Sequence, residues 1–242
     1  MLMKKLSLFI LLFFDYFHKK KIISFIKRKI NKIESIIDVG AHHGESIKLF
    51  DKNFKILNIY AFEPSPESFK NLIVNTNYLL KKKKINFETC NLGLGSSDQK
   101  LFLNISLETS SSTINSINKK SNYYQKKIKF LGQANKDFFH KKEQITITTL
   151  DKAMIDKNFV TIDLIKIDTE GYEYEVLKGG IEVLKKTKLI LFEHHYDNMI
   201  IKNYTFQQIN NFLIENSFKK VFKLKMPFRK TFDYIYENTR KF

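Results

Sequence analysis

Apolar and polar positions along this chain follow two periods in turn. Short β-branched runs such as "SIIDVG", "ILNIYAFEP", "TIDLIKIDTEG" and "KLILFEHH" are each followed by a segment with helical spacing. A further run, "INFETCNLGLG", lies between the second and third of these, and the chain ends on "FKKVFKLK" and "TFDYIYEN". Seven strands alternating with helices predict an α/β fold with right-handed crossovers and a mainly parallel sheet. Too few residues separate the last two strands for a helix, so they predict a hairpin and an antiparallel final strand. Ser65 before Pro66 marks a helix start, and Gly179-Gly180 after "EVLK" marks a helix end.

Two regions stand outside this rhythm. Residues 1–34 begin with two lysines and an apolar run from Leu6 to Phe14, too short to span a bilayer as a helix. Asp15, Tyr16 and Phe17 occupy the place where a signal peptide needs small residues. The extension carries nine Lys/Arg against Asp15 and Glu34. It is expected to be helical, either as a pair of helices on the edge of the domain at 35–242 or in peripheral contact with an anionic membrane. The second region lies between the alternating strands "KLFLNIS" and "QITITTL". It is polar and lysine-rich, and its length makes residues 104–144 the candidate substrate loop.

Composition narrows the classes. With 43% hydrophobic and 28% charged residues and no low-complexity linker, the chain can bury a real core. Cys90 is the single cysteine, so no intramolecular disulfide forms, which fits a reducing, cytoplasmic compartment; inside its apolar strand it is expected to pack. A net charge of +17 favours acidic partners in general. No zinc-finger spacing or RNP-type run accompanies it, so nucleic acid is the minor reading.

In an open parallel sheet, ligands bind beyond the carboxyl ends of the strands. Polar groups follow five successive strands: Asp38, Gly40 and Gly44; Glu63; Asn91; Asp168 and Glu170; Glu193, His194 and His195. The spacing D-x-G-x-x-x-G at residues 38–44 is not the G-x-G-x-x-G of a pyrophosphate cradle. A carboxylate at that position suits a cationic ligand without phosphate, as S-adenosylmethionine is. Gly40 can carry backbone up to the ligand, Gly44 can let the next helix approach, and Glu63 can accept from two ribose hydroxyls.

The blocks "DVGAHHGES", "YAFEPSPESFKNL", "TTLD" and "IDLIKIDTEGYEYEVLKGG", in that order over roughly residues 36 to 195, resemble the FkbM family of S-adenosylmethionine-dependent methyltransferases. The resemblance implies a Rossmann-like class I methyltransferase fold and O-methylation, often of sugar hydroxyls in natural products and surface glycans. It implies cofactor contacts at Asp38, Gly40, Ala41, Gly44, Glu63 and Asn91, with the Asp168/Glu170 pair at the reaction face. Asp168 can act as base or orient the acceptor hydroxyl, His194 is the second catalytic candidate, and the choice of base stays open among Asp168, Glu193, His194 and His195. Glu170 is read as a cap on a helix starting near Gly171, and His42 and His43 as the outer surface of the cofactor loop. No tight ligand motif marks a metal, and none is assigned. Two other classes stay open: a non-catalytic binding module on the same scaffold, and a nucleic-acid methyltransferase, although "DTEG" stands where N-P-P-Y would.

Overall fold

The computed structural model describes residues 2–82, 85–130, 138–157 and 159–242, with residues 2–12 described by backbone alone. It opens with one helix, α1 (Leu2–Lys29), where the pattern allowed a pair. The chain then alternates through β1 (Ser35–Val39), α2 (Glu45–Asn53), β2 (Asn58–Phe62), α3 (Pro66–Leu80) and β3 (Asn86–Cys90). An insertion follows: β4 (Gly93–Leu94), β5 (Gln99–Ser106), a 3-10 turn at Thr109–Ser111, β6 (Ser116–Ile117), α4 (Asn122–Phe130) and β7 (Phe139–Thr148). The second half runs α5 (Leu150–Ala153), β8 (Ile162–Ile167), α6 (Glu173–Lys178), α7 (Ile181–Lys185), β9 (Thr187–His195), β10 (Ile200–Ile201), α8 (Phe206–Glu215), β11 (Phe218–Lys225) and β12 (Thr231–Asn238).

Seven strands form the main sheet in the order β11-β12-β9-β8-β1-β2-β3. The five from β3 to β9 are parallel, β12 lies antiparallel to β9, and β11 and β12 pair as the expected hairpin. This is the mainly parallel seven-stranded sheet with an antiparallel last strand that the sequence pattern predicts.

Strand parity sorts the core into two layers. Ile37, Val39, Tyr60, Phe62, Ile165, Ile167, Ile190 and Phe192 face α5 to α8. Ile36, Ile59, Ala61, Leu164, Leu189 and Leu191 face α1, α2 and α3. Helix α1 joins the second layer through buried Ile22, Ile23 and Ile26, and Phe25 stacks on Phe222 of β11 at 4.4 Å. Further up the same helix, His18 meets Asp233 of β12 at 2.5 Å in a buried pair.

The candidate substrate loop is more structured than its polarity suggests. β5 and β7 pair antiparallel and, with β4, make a three-stranded sheet, while β6 pairs with β10. Tyr124, Phe138, Phe139, Met199 and Ile200 form a small core under it. Residues 131–137 of that loop lie outside the described residues.

Candidate functional site

From β1 the sheet grows one way through β2 and β3, then the chain returns to place β8 on the other side of β1. Such a switch point opens a crevice at the carboxyl ends of the strands. A cavity of ≈ 820 Å³ lies there. Its floor is the strand ends, its roof the 3-10 turn and α4, and its mouth the middle of α1 and the β11–β12 turn.

Gly40 answers to the neighbouring strand. Its φ is +75°, and a Cβ there would sit 2.0 Å from the Asp168 carbonyl oxygen, so only glycine lets the ends of β1 and β8 close. The turn is fixed by Gly40 and Ala41, whose N–H groups both donate to the Phe62 carbonyl at 2.9 and 3.0 Å. Gly44 (φ +85°) serves a helix pair: a Cβ would meet Thr76 and Leu72 of α3 at 2.7 and 3.1 Å. It therefore packs α2's start against α3 and does not line the cavity.

Glu63 lines the cavity with a buried carboxylate. Oε2 accepts from His42 N–H at 2.8 Å and Oε1 from Ser65 N–H at 2.9 Å. Burial pushes this carboxyl up, against those two hydrogen bonds. Each oxygen keeps a lone pair free for a ligand. Asn91 does not line the cavity. Its Nδ2 donates to the carbonyls of Glu63 and Pro64 at 2.8 and 3.1 Å, holding the turn that carries Glu63. His42 faces inward, contrary to the expected outer position: it lines the cavity, and its Nε2 reaches Thr109 Oγ1 of the roof at 2.8 Å.

Asp38 lies below this surface, wholly buried, and neither carboxylate oxygen has a hydrogen-bond partner. Burial pushes its carboxyl up while Lys166 opposes the shift. Lys166, projecting from β8, stands 3.5 Å from Asp38 and 3.2 Å from Asp168. Burial works against its charge, but the carboxylates of Asp168 and Asp38 win and raise it above the ordinary lysine value. Asp168 itself opens into the cavity.

Glu170 is not a helix cap. Its backbone is left-handed (φ +50°), as is that of Gly171 (φ +94°), which delays α6 until Glu173. No side chain caps α6; Glu173, its first residue, instead ties down the turn before it, Oε1 accepting from Thr169 N–H, Thr169 Oγ1 and Gly171 N–H at 3.2, 3.1 and 2.9 Å. The roof grips the same turn: Thr113 Oγ1 donates to the Glu170 carbonyl and Asn115 Nδ2 to that of Gly171, both at 2.7 Å. Freed from capping, the Glu170 carboxylate reaches His195 Nε2 at 3.2 Å, beside Glu193 at 3.0 Å from the same nitrogen. Burial first, then Asp168, pushes Glu193 up to about 7. Burial alone would lower His195, but the surrounding carboxylates, Glu170 foremost, hold it well above the ordinary histidine value.

His194 must be reassigned. It does not line the cavity; its ring packs against Tyr196 at 4.8 Å and Phe206 at 5.4 Å. Burial, with Lys202 and His195, lowers it to about 3, so it is a neutral packed ring. The histidine at the cavity is His195.

The model of the FkbM methyltransferase domain matches residues 38–221. The chain belongs to that family. This FkbM-family chain resembles a solved FkbM methyltransferase from Methylobacillus flagellatus KT with a TM-score of 0.55 at 14% identity. That match covers 85% of this chain and 43% of the other, so the present chain spans less than half its length. A magnesium protoporphyrin IX methyltransferase from Synechocystis PCC 6803, solved with bound SAM, matches with a TM-score of 0.51 at 8% identity, covering 91% of this chain and 78% of that one. At these identities the likeness shows the fold. No curated protein sequence matches the chain.

The family depends on S-adenosylmethionine, and the site fits such a cofactor. Glu63 presents an oriented carboxylate with free lone pairs, and the Gly40 turn keeps side-chain bulk out of the floor. Of the residues expected at the site, Gly40, Ala41, Glu63 and Asp168 meet at the cavity; Asp38, Gly44, Asn91 and His194 support it from outside. The sequence reading passed over Lys166 and Glu173. A lysine inside an apolar strand, two residues before a strand-end aspartate, was the signal for the first.

Proposed function

We propose that this methyltransferase moves a methyl group from S-adenosylmethionine to a hydroxyl of a sugar, a surface glycan or a glycan precursor. One observation carries the reading: a single cavity joins the Gly40 turn and Glu63 to Asp168, Glu193 and His195. A nucleoside on the first group and a hydroxyl at the second would share one enclosed space. When bound, S-adenosylmethionine supplies a methyl on a cationic sulfur that departs as a neutral thioether. Glu63 would hold the ribose hydroxyls. Asp168, steadied by Lys166, would orient the acceptor hydroxyl and take its proton. Residues 104–144 would supply the acceptor wall, since Thr109, Tyr123 and Phe130 line the cavity. Polar groups beside exposed aromatic rings suit a saccharide, and Lys19, Lys126 and Lys230 around the mouth suit an anionic one.

The test is incubation of the purified chain with methyl-labelled cofactor and a panel of sugar nucleotides and glycan fragments, locating the label by mass. Label on a sugar oxygen is expected. Label on RNA alone would replace the saccharide reading with nucleic-acid methylation. A folded protein that binds no cofactor would leave only a binding module.

We also propose that α1 rests on an anionic membrane surface. Phe13, Phe14 and Phe17 are 50%, 41% and 42% exposed, with Lys19, Lys20 and Lys21 close behind. Among the described residues, no helix is long and apolar enough to cross a membrane.

A further inference from the structure

His195 is 7% exposed and its Nε2 is aimed between two carboxylates, yet it makes a hydrogen bond of acceptable geometry to neither. Glu170 Oε2 lies 3.2 Å away and Glu193 Oε1 3.0 Å, and the three donor atoms all fall within 4.8 Å of one another. Adjacent ligand atoms around an octahedral ion with bonds of about 2.1 Å are about 3.0 Å apart, and around calcium they are wider. On its other side, His195 Nδ1 meets Thr231 Oγ1 at 3.2 Å and the Asp197 carboxylate at 3.5 Å. Thr231 holds that nitrogen by a hydrogen bond and Asp197 by charge alone, its oxygen having no hydrogen-bond partner, and a second nitrogen engaged in this way fixes the imidazole with Nε2 toward the cavity.

We propose that Glu170, Glu193 and His195 form a binding site for one divalent cation of magnesium or manganese size. Two carboxylates and one imidazole suit manganese, which accepts both donor types, and magnesium through the oxygens. The three residues come from two elements, Glu170 from the β8–α6 turn and Glu193 and His195 from the end of β9, and Glu170 reaches the pair from a left-handed backbone. All three line the cavity, so the remaining coordination positions face its interior. There the cation would hold the acceptor hydroxyl and make its proton easier to remove, leaving Asp168 to receive it. That use rests on the transferase reading; the binding of the ion does not.

The test is titration of the chelator-treated full chain with Mn²⁺, followed by calorimetry and by the loss of the free-ion electron paramagnetic resonance signal. One Mn²⁺ per chain is expected, displaced by Mg²⁺. Glu170→Gln and Glu193→Gln should each weaken it at least about tenfold, and Asp197→Asn about tenfold through the orienting contact. Circular dichroism and S-adenosylmethionine binding are followed in every variant as a check on folding and on the other end of the cavity. A folded, cofactor-binding wild type that takes up no Mn²⁺ overturns the site, and so does uptake that all three substitutions leave unchanged. If Mn²⁺ binds as expected but S-adenosylmethionine does not, the cation site stands and the transferase reading falls.

Discussion

Strand β9 ends in two histidines whose rings leave the sheet on opposite faces. His194 shares its side with Ile190 and Phe192, under α8, while Glu193 and His195 continue the row of Leu189 and Leu191. Parity along the strand decides which imidazole meets the cavity. His194→Phe removes a buried Nδ1 that has no hydrogen-bond partner and keeps the ring contacts. An orphaned buried group costs roughly 1–3 kcal/mol. Differential scanning calorimetry should therefore show a midpoint higher by about 2–12 °C, with turnover within about twofold of wild type. A collapse of turnover would put that ring back into the chemistry. At the other end, Glu63→Ala removes a charged acceptor and should weaken S-adenosylmethionine binding about 10- to 100-fold by calorimetry. Asp168→Ala should leave that affinity in place and slow the transfer. Equal cofactor affinity in wild type and Glu63→Ala would remove the ribose contact from the account.

At the scale of elements, the β8–α6 connection shows what could and could not be read in advance. Alternation and strand-end polarity gave the seven strands, the crossovers and the final hairpin, because a two-residue period and a missing helix-length spacer are local signals. The cap at Ser65 was equally local, and its hydroxyl does accept from Ser68 N–H. The true start of α6 was not local. It depends on two consecutive left-handed residues held by Thr113 and Asn115, more than fifty positions earlier in the chain. The same holds for the roof: its polar sequence hides a small aromatic core completed by Met199 and Ile200 from another part of the chain. Glu173→Ala tests the connection. It leaves Thr169, Gly171 and the Tyr204 hydroxyl without their buried acceptor. A loss of roughly 3 kcal/mol is expected, lowering the midpoint by about 6–12 °C. Glu173→Gln, which restores an acceptor, should recover part of it. An unchanged midpoint in the alanine variant would show that the turn does not depend on this carboxylate.

Taken as a whole, the molecule places a basic, aromatic helix at the mouth of its cavity. The far half of α1 is fastened to the sheet by Ile22, Ile23 and Ile26, and His18 is fixed by Asp233. The middle of the helix is thereby held at the cavity, with Asp15, His18 and Lys19 lining the mouth. Phe14 meets Phe228 of the β11–β12 turn at 5.2 Å, so two distant segments build one exposed aromatic edge. Aromatic rings beside lysines gain from apolar insertion and from attraction to anionic headgroups together. An acceptor held at such a surface would reach the cavity without diffusing through solvent. Co-sedimentation with phosphatidylserine-containing vesicles should accordingly exceed that with neutral vesicles and weaken as salt rises. Replacing Phe13, Phe14 and Phe17 with serine should reduce binding at every salt concentration, because it removes the apolar part of the attraction and leaves the charge. If the triple variant bound as wild type does, the aromatic edge would play no part. If neither bound anionic vesicles, α1 would be only the strut that its buried isoleucines make it.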